Sequence, residues 1–415
     1  MSEIKLAKYL QLALFSAVVL GGYLLENLGI AYVSEGGSPV VKIHLYAYIL
    51  LALFGLLVLS RGMAASVAEL GQLASIWWWS FIALSAVIVY GLATQGTSGM
   101  AYMVNTFLAP LLLLVLLAQL SHSQLQRILV LLAYLLLFNS LLAVGEYVLN
   151  TRIVSVEFDS FAFFRSTALM THPLNNALIT VALALLLCSY TRLPAFAYIG
   201  LVILALFAFG GRAALALFCL GALVCAVPAL WRFLTRGVAV DRRYLAVLMM
   251  LGYFAFIAFI VVLIESGITE RIASKMYIDH SATARLDVFY LLEQLSPKEW
   301  VFGASASLMA AIEFYIDISV IENYLVGWIF NFGLIGAVPL FIAAFLPLGY
   351  FFYHGNLVSR TAIGVFMIVG VTNNSLTTKT PVLLLLYCAL FCALKLQQKA
   401  QQSIRAQGAS HACAT

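Results

Sequence analysis

The chain has 415 residues, of which 64% are hydrophobic, 13% aromatic and only 9% charged, with a mean hydropathy of +1.04. Soluble domains carry about 45–50% apolar and about 25% charged residues, so this composition cannot cover a water-soluble particle. Soluble enzymes, nucleic-acid binders, disordered chains and secreted disulfide scaffolds are excluded, which leaves an all-α, polytopic membrane bundle.

A spanning helix needs about 20 mostly apolar residues. Such runs fall near 6–25, 41–60, 74–93, 101–120, 125–149, 174–190, 195–210, 212–230, 244–265, 322–352, 360–376 and 380–396, which predicts about twelve transmembrane helices. The runs are unbroken rather than alternating, so a membrane barrel is excluded. The first run follows Lys5 and Lys8 as a signal peptide would. It is too long for that, and it enters Glu26-Asn27 without a small-residue cleavage site, so a retained helix is expected. Phe209-Gly-Gly-Arg212 divides two spans with almost no loop, and 322–352 is long for one span. No repeat or hydrophilic domain interrupts the pattern, and residues 1–415 read as a single membrane domain.

Charge placement sets the orientation. With an even number of spans both termini share a side, and that side holds thirteen basic residues against three acidic ones, a net of +10. The other side holds nine basic against fourteen acidic, a net of −5. Basic excess marks the cytoplasm, so both termini are expected inside. The cysteines (Cys188, Cys219, Cys225, Cys388, Cys392 and Cys413) lie in spans or in the inner tail. No disulfide framework is expected, and none has metal-ligand spacing with histidine.

Two outer segments are long, 150–173 and 266–321. The second contains Ala284–Leu295, whose apolar positions recur at helical spacing, and then Pro297 and Gly303, read as breakers. Loops of this length are usually functional, so the site is expected beneath it, at the outer mouth of the bundle.

Three outer arginines stand against the acidic bias of that side. Arg165 closes the apolar stretch Phe161-Ala-Phe-Phe164, Arg212 follows two glycines between two spans, and Arg285 opens the loop helix. Arginine near membrane depth normally faces a cavity, a partner or an anion, and its rigid fork of donors suits phosphate oxygens. The plainer readings are snorkelling to the interface and pairing with acids such as Asp287 and Glu293. In His172-Pro173-Leu-Asn175-Asn176, asparagine can cap a helix and proline can stop its upstream extension, while His172 reads equally as an interfacial side chain. Glu322-Asn323-Tyr324 opens the tenth span. A carboxylate there is favoured by the helix dipole, and it is also placed to take a proton from an acceptor hydroxyl. Glu146, with Asn139 two turns before it, is an intramembrane carboxylate that is either functional or paired with an outer arginine.

The order of these motifs resembles the O-antigen polymerase/O-antigen ligase superfamily of bacterial polysaccharide assembly. The resemblance rests on Arg165-Ser-Thr-Ala-Leu-Met-Thr-His172-Pro173-Leu-Asn175, Gly210-Gly211-Arg212-Ala-Ala, and Arg285-Leu-Asp-Val-Phe with Phe302-Gly303. It continues through Glu322-Asn323-Tyr324-Leu325 and Phe332-Gly333-Leu-Ile-Gly336, covering roughly residues 98–345. It implies a metal-independent, C-type membrane glycosyltransferase with no cofactor, acting on undecaprenyl-diphosphate-linked glycans at the periplasmic face of the bacterial inner membrane. Arg212 and Arg285 would hold the donor diphosphate with help from Arg165. Glu322 would act as base or acceptor-orienting group, and His172, Asn323, Tyr324 and Glu146 would line the substrate cavity. Family members usually carry His-Asn where this chain has Glu322-Asn323, which favours a polymerase over a ligase. The expected partners are lipid-linked donor and acceptor glycans, the bilayer, and a chain-length regulator and flippase of the same pathway, with no nucleic acid. The alternatives are an O-antigen ligase acting on lipid A-core and, from another class, a lipid-linked oligosaccharide flippase or transporter.

Overall fold

The computed structural model describes all residues except 1, 35–37, 98–99, 155–163, 171, 238–244, 248, 251–252, 255–256, 258–287, 317–320 and 413–415. Among the described residues there are helices and no strands. The chain divides into two units, residues 1–222 with 295–415, and residues 223–294.

In chain order the larger unit opens with α1 (Glu3–Val19), α2 (Gly22–Asn27), α3 (Leu45–Arg61), α4 (Met63–Ala68) and α5 (Leu73–Gln95). A π-helical turn, Met103–Leu108, leads into α6 (Ala109–Ala118), followed by α7 (His122–Leu149), α8 (Pro173–Leu187) and α9 (Ala195–Phe209). Next, α10 (Arg212–Arg236) starts in this unit and runs into the smaller one. The larger unit resumes with α11 (Pro297–Phe302), α12 (Ala306–Ile316), α13 (Tyr324–His354), α14 (Leu357–Val371) and α15 (Val382–Ala412). Among its described residues, the smaller unit contains the far part of α10, with Pro228 inside the helix, and a 3-10 segment, Val288–Gln294. Most of the expected span 244–265 lies outside the described residues.

Six described helices are long and apolar enough to cross a bilayer: α5, α7, α8 with the turn after it, α10, α13 and the apolar part of α15. The expected spans at 41–60, 101–120, 195–210 and 360–376 coincide with shorter apolar helices of 10–17 residues. α1, at 17 residues, takes the place of the expected span 6–25. The run is interrupted at Leu20–Gly21, where the chain passes so close to the Leu169 carbonyl oxygen that a Cβ on Gly21 would lie 2.0 Å from it.

The centre of the larger unit is built from helices that are apolar all round, a pattern that belongs to an enclosed helix. Nine successive residues of α6, Ala109–Leu117, are buried, and so are Val382–Cys392 of α15. α15 packs on α6, α7 and α8. At one end of this unit, Glu3 accepts from the Ser121 N–H at 2.8 Å, and Arg61 donates to Gln119 at 3.0 Å. The other end gathers residues 164–170, the heads of α8 and α13, and the connection between α14 and α15.

The long run 322–352 is one helix by hydrogen bonding but is broken at Gly333, whose φ of 59° is left-handed. A Cβ at that point would lie 2.2 Å from the Val301 carbonyl oxygen. The break lets the segment after α11 dock on the helix. Ala304 N–H donates to the Phe330 oxygen at 2.7 Å, Gln95 donates to the Asn331 oxygen, and Tyr90 donates to the Phe302 oxygen at 2.8 Å. Irregular backbone at membrane depth is tolerated only where its polar groups are satisfied in this way.

Pro297, expected as a breaker, instead starts α11. Its missing N–H falls among the donors that have no intrahelical acceptor anyway. Ser296 and Glu299 complete a capping box around it. Hydrogen bonds from Ser305 and then Ser296 hold the Glu299 carboxyl at about 2. Gly303 does end this helix, with φ of 98°. The helix expected over Ala284–Leu295 is a 3-10 segment from Val288, and Arg285 lies outside the described residues.

Candidate functional site

The segment 164–170 runs across the polar end of the bundle without regular structure, so its backbone groups need partners from elsewhere. The main one is Glu146, on the last turns of α7 and almost fully buried. Its Oε2 accepts from the Ser166 hydroxyl at 2.5 Å and from the Thr167 and Ala168 N–H groups at 3.0 and 2.9 Å. Its Oε1 accepts from the Ile153 N–H at 2.8 Å. Asn139, two turns earlier, accepts from the Leu169 N–H and donates to Asn176 Oδ1, each at 3.2 Å. Asn176 Nδ2 donates to the Thr167 and Met170 oxygens at 2.6 and 3.2 Å. Ala168 is drawn into a left-handed conformation, φ 44°, which costs a residue with a Cβ of order 1 kcal/mol. Glu146 was expected to line the substrate cavity; in the structure its oxygens hold the strip that carries Arg165.

Arg165 lies over the end of α9. Ser166 N–H donates to the Ala208 oxygen at 2.9 Å, and the Arg165 side chain comes within 3.0 Å of where a Cβ on Gly210 would stand. Gly210 is left-handed, φ 72°, and closes α9. Gly211 must stay bare because a Cβ there would meet the Ala177 Cβ at 2.7 Å. The glycine pair thus brings the start of α10, and with it the exposed Arg212, up to the head of α8. Arg152 donates to the Arg165 carbonyl oxygen at 3.2 Å and sits 5.1 Å from the Phe164 ring centroid.

His172 is the N-cap of α8, its Nδ1 accepting from the Leu174 N–H at 3.3 Å. That assigns the other ring nitrogen, Nε2, the proton in the neutral form. Burial, and secondarily the nearby Arg165 charge, hold His172 down at about 4. An unfolded chain would take up this proton near 6.5, before the folded one does. The stability gained by keeping His172 neutral is therefore full above pH 6.5 and declines as the pH falls toward 4. Melting temperatures of wild type and His172→Gln in detergent should run parallel above pH 6.5 and converge below it. Parallel curves down to pH 4 would remove this role.

Glu322 precedes the N-cap of α13 and is partly exposed. The cap itself is Asn323, whose Oδ1 accepts from the Leu325 and Val326 N–H groups at 2.9 and 3.3 Å. Tyr324 is fully buried, its ring centroid 4.9 Å from Trp328 and 5.9 Å from Phe345. Both were expected to meet substrate. Asn323 is engaged as a cap and Tyr324 as part of an aromatic core.

Sequence reasoning passed over a second polar group, built around Thr372–Pro381 and the π-helical turn. Ser375 donates to Asn175 Oδ1 at 2.5 Å, Trp328 donates to the Leu376 oxygen at 3.1 Å, and Thr106 donates to the Thr378 oxygen at 2.7 Å. Asn105 accepts from the His44 N–H at 2.9 Å and donates to the Tyr32 hydroxyl at 3.2 Å. Lys379 donates to the Tyr32 carbonyl oxygen and stands 4.7 Å over its ring. Burial, together with the Lys42 charge, brings Lys379 down to about 8, with Glu26 acting the other way. A cavity with room for about one water is lined by Lys379, His44, Tyr32 and Met170, among others. The signal was present, since seven of the nine residues in Thr372-Asn-Asn-Ser-Leu-Thr-Thr-Lys-Thr380 are Thr, Asn or Ser, flanked by two apolar helices.

Compared with known proteins, the chain matches no protein-family model and no curated protein sequence. The site must be read from its own chemistry. Arg165, His172 and the Arg212 turn come together, Glu322 stands at the head of α13, and a half-buried lysine lies beside the strip that carries Arg165.

Proposed function

We propose that the chain is a polymerase of lipid-linked polysaccharide repeat units, a metal-independent glycosyltransferase of the bacterial inner membrane. The observation that carries this reading is the approach of Arg165 to the Gly210-Gly211-Arg212 turn, beside a histidine held neutral. Guanidinium groups so placed suit a diphosphate, whose charge grows as it leaves. In this reading twelve spans leave both termini in the cytoplasm, and the site faces the periplasm.

The growing glycan on undecaprenyl diphosphate is the donor and a second lipid-linked repeat is the acceptor. The acceptor hydroxyl oxygen attacks the anomeric carbon from the face opposite the diphosphate. The bond from that carbon to the diphosphate oxygen breaks, and the configuration inverts. The hydroxyl proton passes to Glu322, and the electron pair leaves with undecaprenyl diphosphate, held by Arg212 and Arg165. His172 lines the cavity as a neutral donor.

Purified protein given defined lipid-linked repeats should release undecaprenyl diphosphate and lengthen the glycan. Transfer to lipid A-core instead would make it a ligase, and movement of lipid-linked glycan across the bilayer without release would make it a transporter. For Glu322, the Gln variant should lose about 10²–10⁴-fold in turnover, the usual scale of general-base catalysis, while His retains activity. Full activity of Glu322→Gln would reduce the residue to orienting the acceptor.

A further inference from the structure

The opposite end of the larger unit holds a second group of polar side chains that glycosyl transfer does not use. On α7, Gln126, Val130 and Tyr134 recur every four residues and share one face. Facing them is the connection from α8 to α9. A 3-10 turn, Cys188–Tyr190, ends α8, and Pro194 caps α9. Between these, the chain presents Ser189, Tyr190 and Arg192. The two sides enclose an open pocket of about 300 Å³, at the lower end of the size range of small-ligand sites.

The lining has a definite chemistry. It contains a guanidinium, two phenols, a primary amide and a serine hydroxyl, and no carboxylate. Thr191, also in the lining, has its hydroxyl engaged with the Cys188 oxygen at 3.1 Å. The Gln126 amide, the Tyr134, Tyr190 and Ser189 hydroxyls and the Arg192 guanidinium have no hydrogen-bond partner among the described residues. Donors grouped in one lining with an arginine, and with no acid in that lining, suit an anion with several acceptor oxygens.

Position narrows the source of that anion. The span that begins at Pro173 ends at Tyr190, so the pocket sits where hydrocarbon gives way to headgroups. The α7 stripe continues from Tyr134 through Phe138 and Leu141, 44%, 51% and 57% exposed, which offers apolar surface for acyl chains running from the pocket. Basic pockets between helices at this level are suited to anionic lipid headgroups.

We propose that this pocket binds the phosphate of an anionic phospholipid, with Arg192 as its principal contact and Tyr134 and Tyr190 as flanking donors. The site is independent of the catalytic reading above. The test uses the full chain, purified in detergent and stripped of lipid, with phosphatidylglycerol or phosphatidylcholine added back and bound lipid counted by native mass spectrometry. Wild type should retain phosphatidylglycerol over phosphatidylcholine, and Arg192→Gln should lower that retention about tenfold, with Arg192→Lys between them. Arg192 is exposed, so an unchanged melting temperature should accompany the loss. Equal retention of the two lipids, or undiminished retention in Arg192→Gln, would overturn the proposal. Inorganic phosphate is the remaining arm: failure to displace phosphatidylglycerol supports a lipid headgroup, and displacement at millimolar concentration overturns that source in favour of free phosphate.

Discussion

Arg212→Ala should abolish polymer formation while the protein still inserts into the membrane. Arg212 is exposed at the first position of α10. In the proposed reading, what the substitution removes is charge stabilisation of a departing diphosphate. Removing one such pre-placed donor typically costs about 10²–10³-fold in turnover. Arg212→Lys keeps the charge but loses the two-pronged geometry and should fall between the two. The readouts are glycan length on a gel and undecaprenyl diphosphate released by the purified protein. Wild-type-length glycan from Arg212→Ala would end the assignment of this residue to the diphosphate.

The second large effect belongs to a residue that, in this reading, touches no substrate. Glu146→Ala should leave the buried Thr167 N–H without its acceptor, take one of two acceptors from the Ala168 N–H and release the part-buried Ile153 N–H. A buried donor left unmade costs about 1–3 kcal/mol, so a loss of about that size is expected. The damage should be local as well as global. Amides of 164–170 should exchange with solvent faster, and activity should fall with the placement of Arg165. Glu146→Gln keeps one carbonyl oxygen and should recover part of both. Unchanged exchange at 164–170 in Glu146→Ala would show that the strip holds itself.

The two variants differ in kind, and the difference bears on how much of this protein can be read from its sequence. Scarcity of charge identified the membrane class, and apolar runs located most helices, because burial in lipid is a property of composition over about 20 residues. The outer arginines stood out for the converse reason, as rare charges on an acidic side. What escaped was the division of labour among polar residues. Glu146 and Asn323 look like candidate site residues in a linear reading, yet Glu146 is occupied by Ile153, Ser166, Thr167 and Ala168, and Asn323 by the first N–H groups of its own helix. The partners of Glu146 are set by tertiary contact, not by local pattern. The Gly333 break was hidden for the same reason: an isolated glycine in an apolar run gives no notice that Val301 will press against it. Pro297 misled because proline terminates a helix from inside but initiates one from its first turn, and only Ser296 and Glu299 around it tell the two apart.

The burial of α15 has a consequence for how the protein is made. The first part of this helix, Val382–Cys392, is apolar on every side, and the helix packs on α6, α7 and α8, all of which leave the ribosome long before it does. Until α15 inserts, those earlier helices present to lipid, or to whatever escorts them, the faces that will later close on it. Assembly of the bundle is therefore gated by a late arrival that must push between helices already in place. The Thr372–Pro381 connection, with Ser375 bonded to Asn175 and Thr378 to Thr106, is the clasp that fastens once it has.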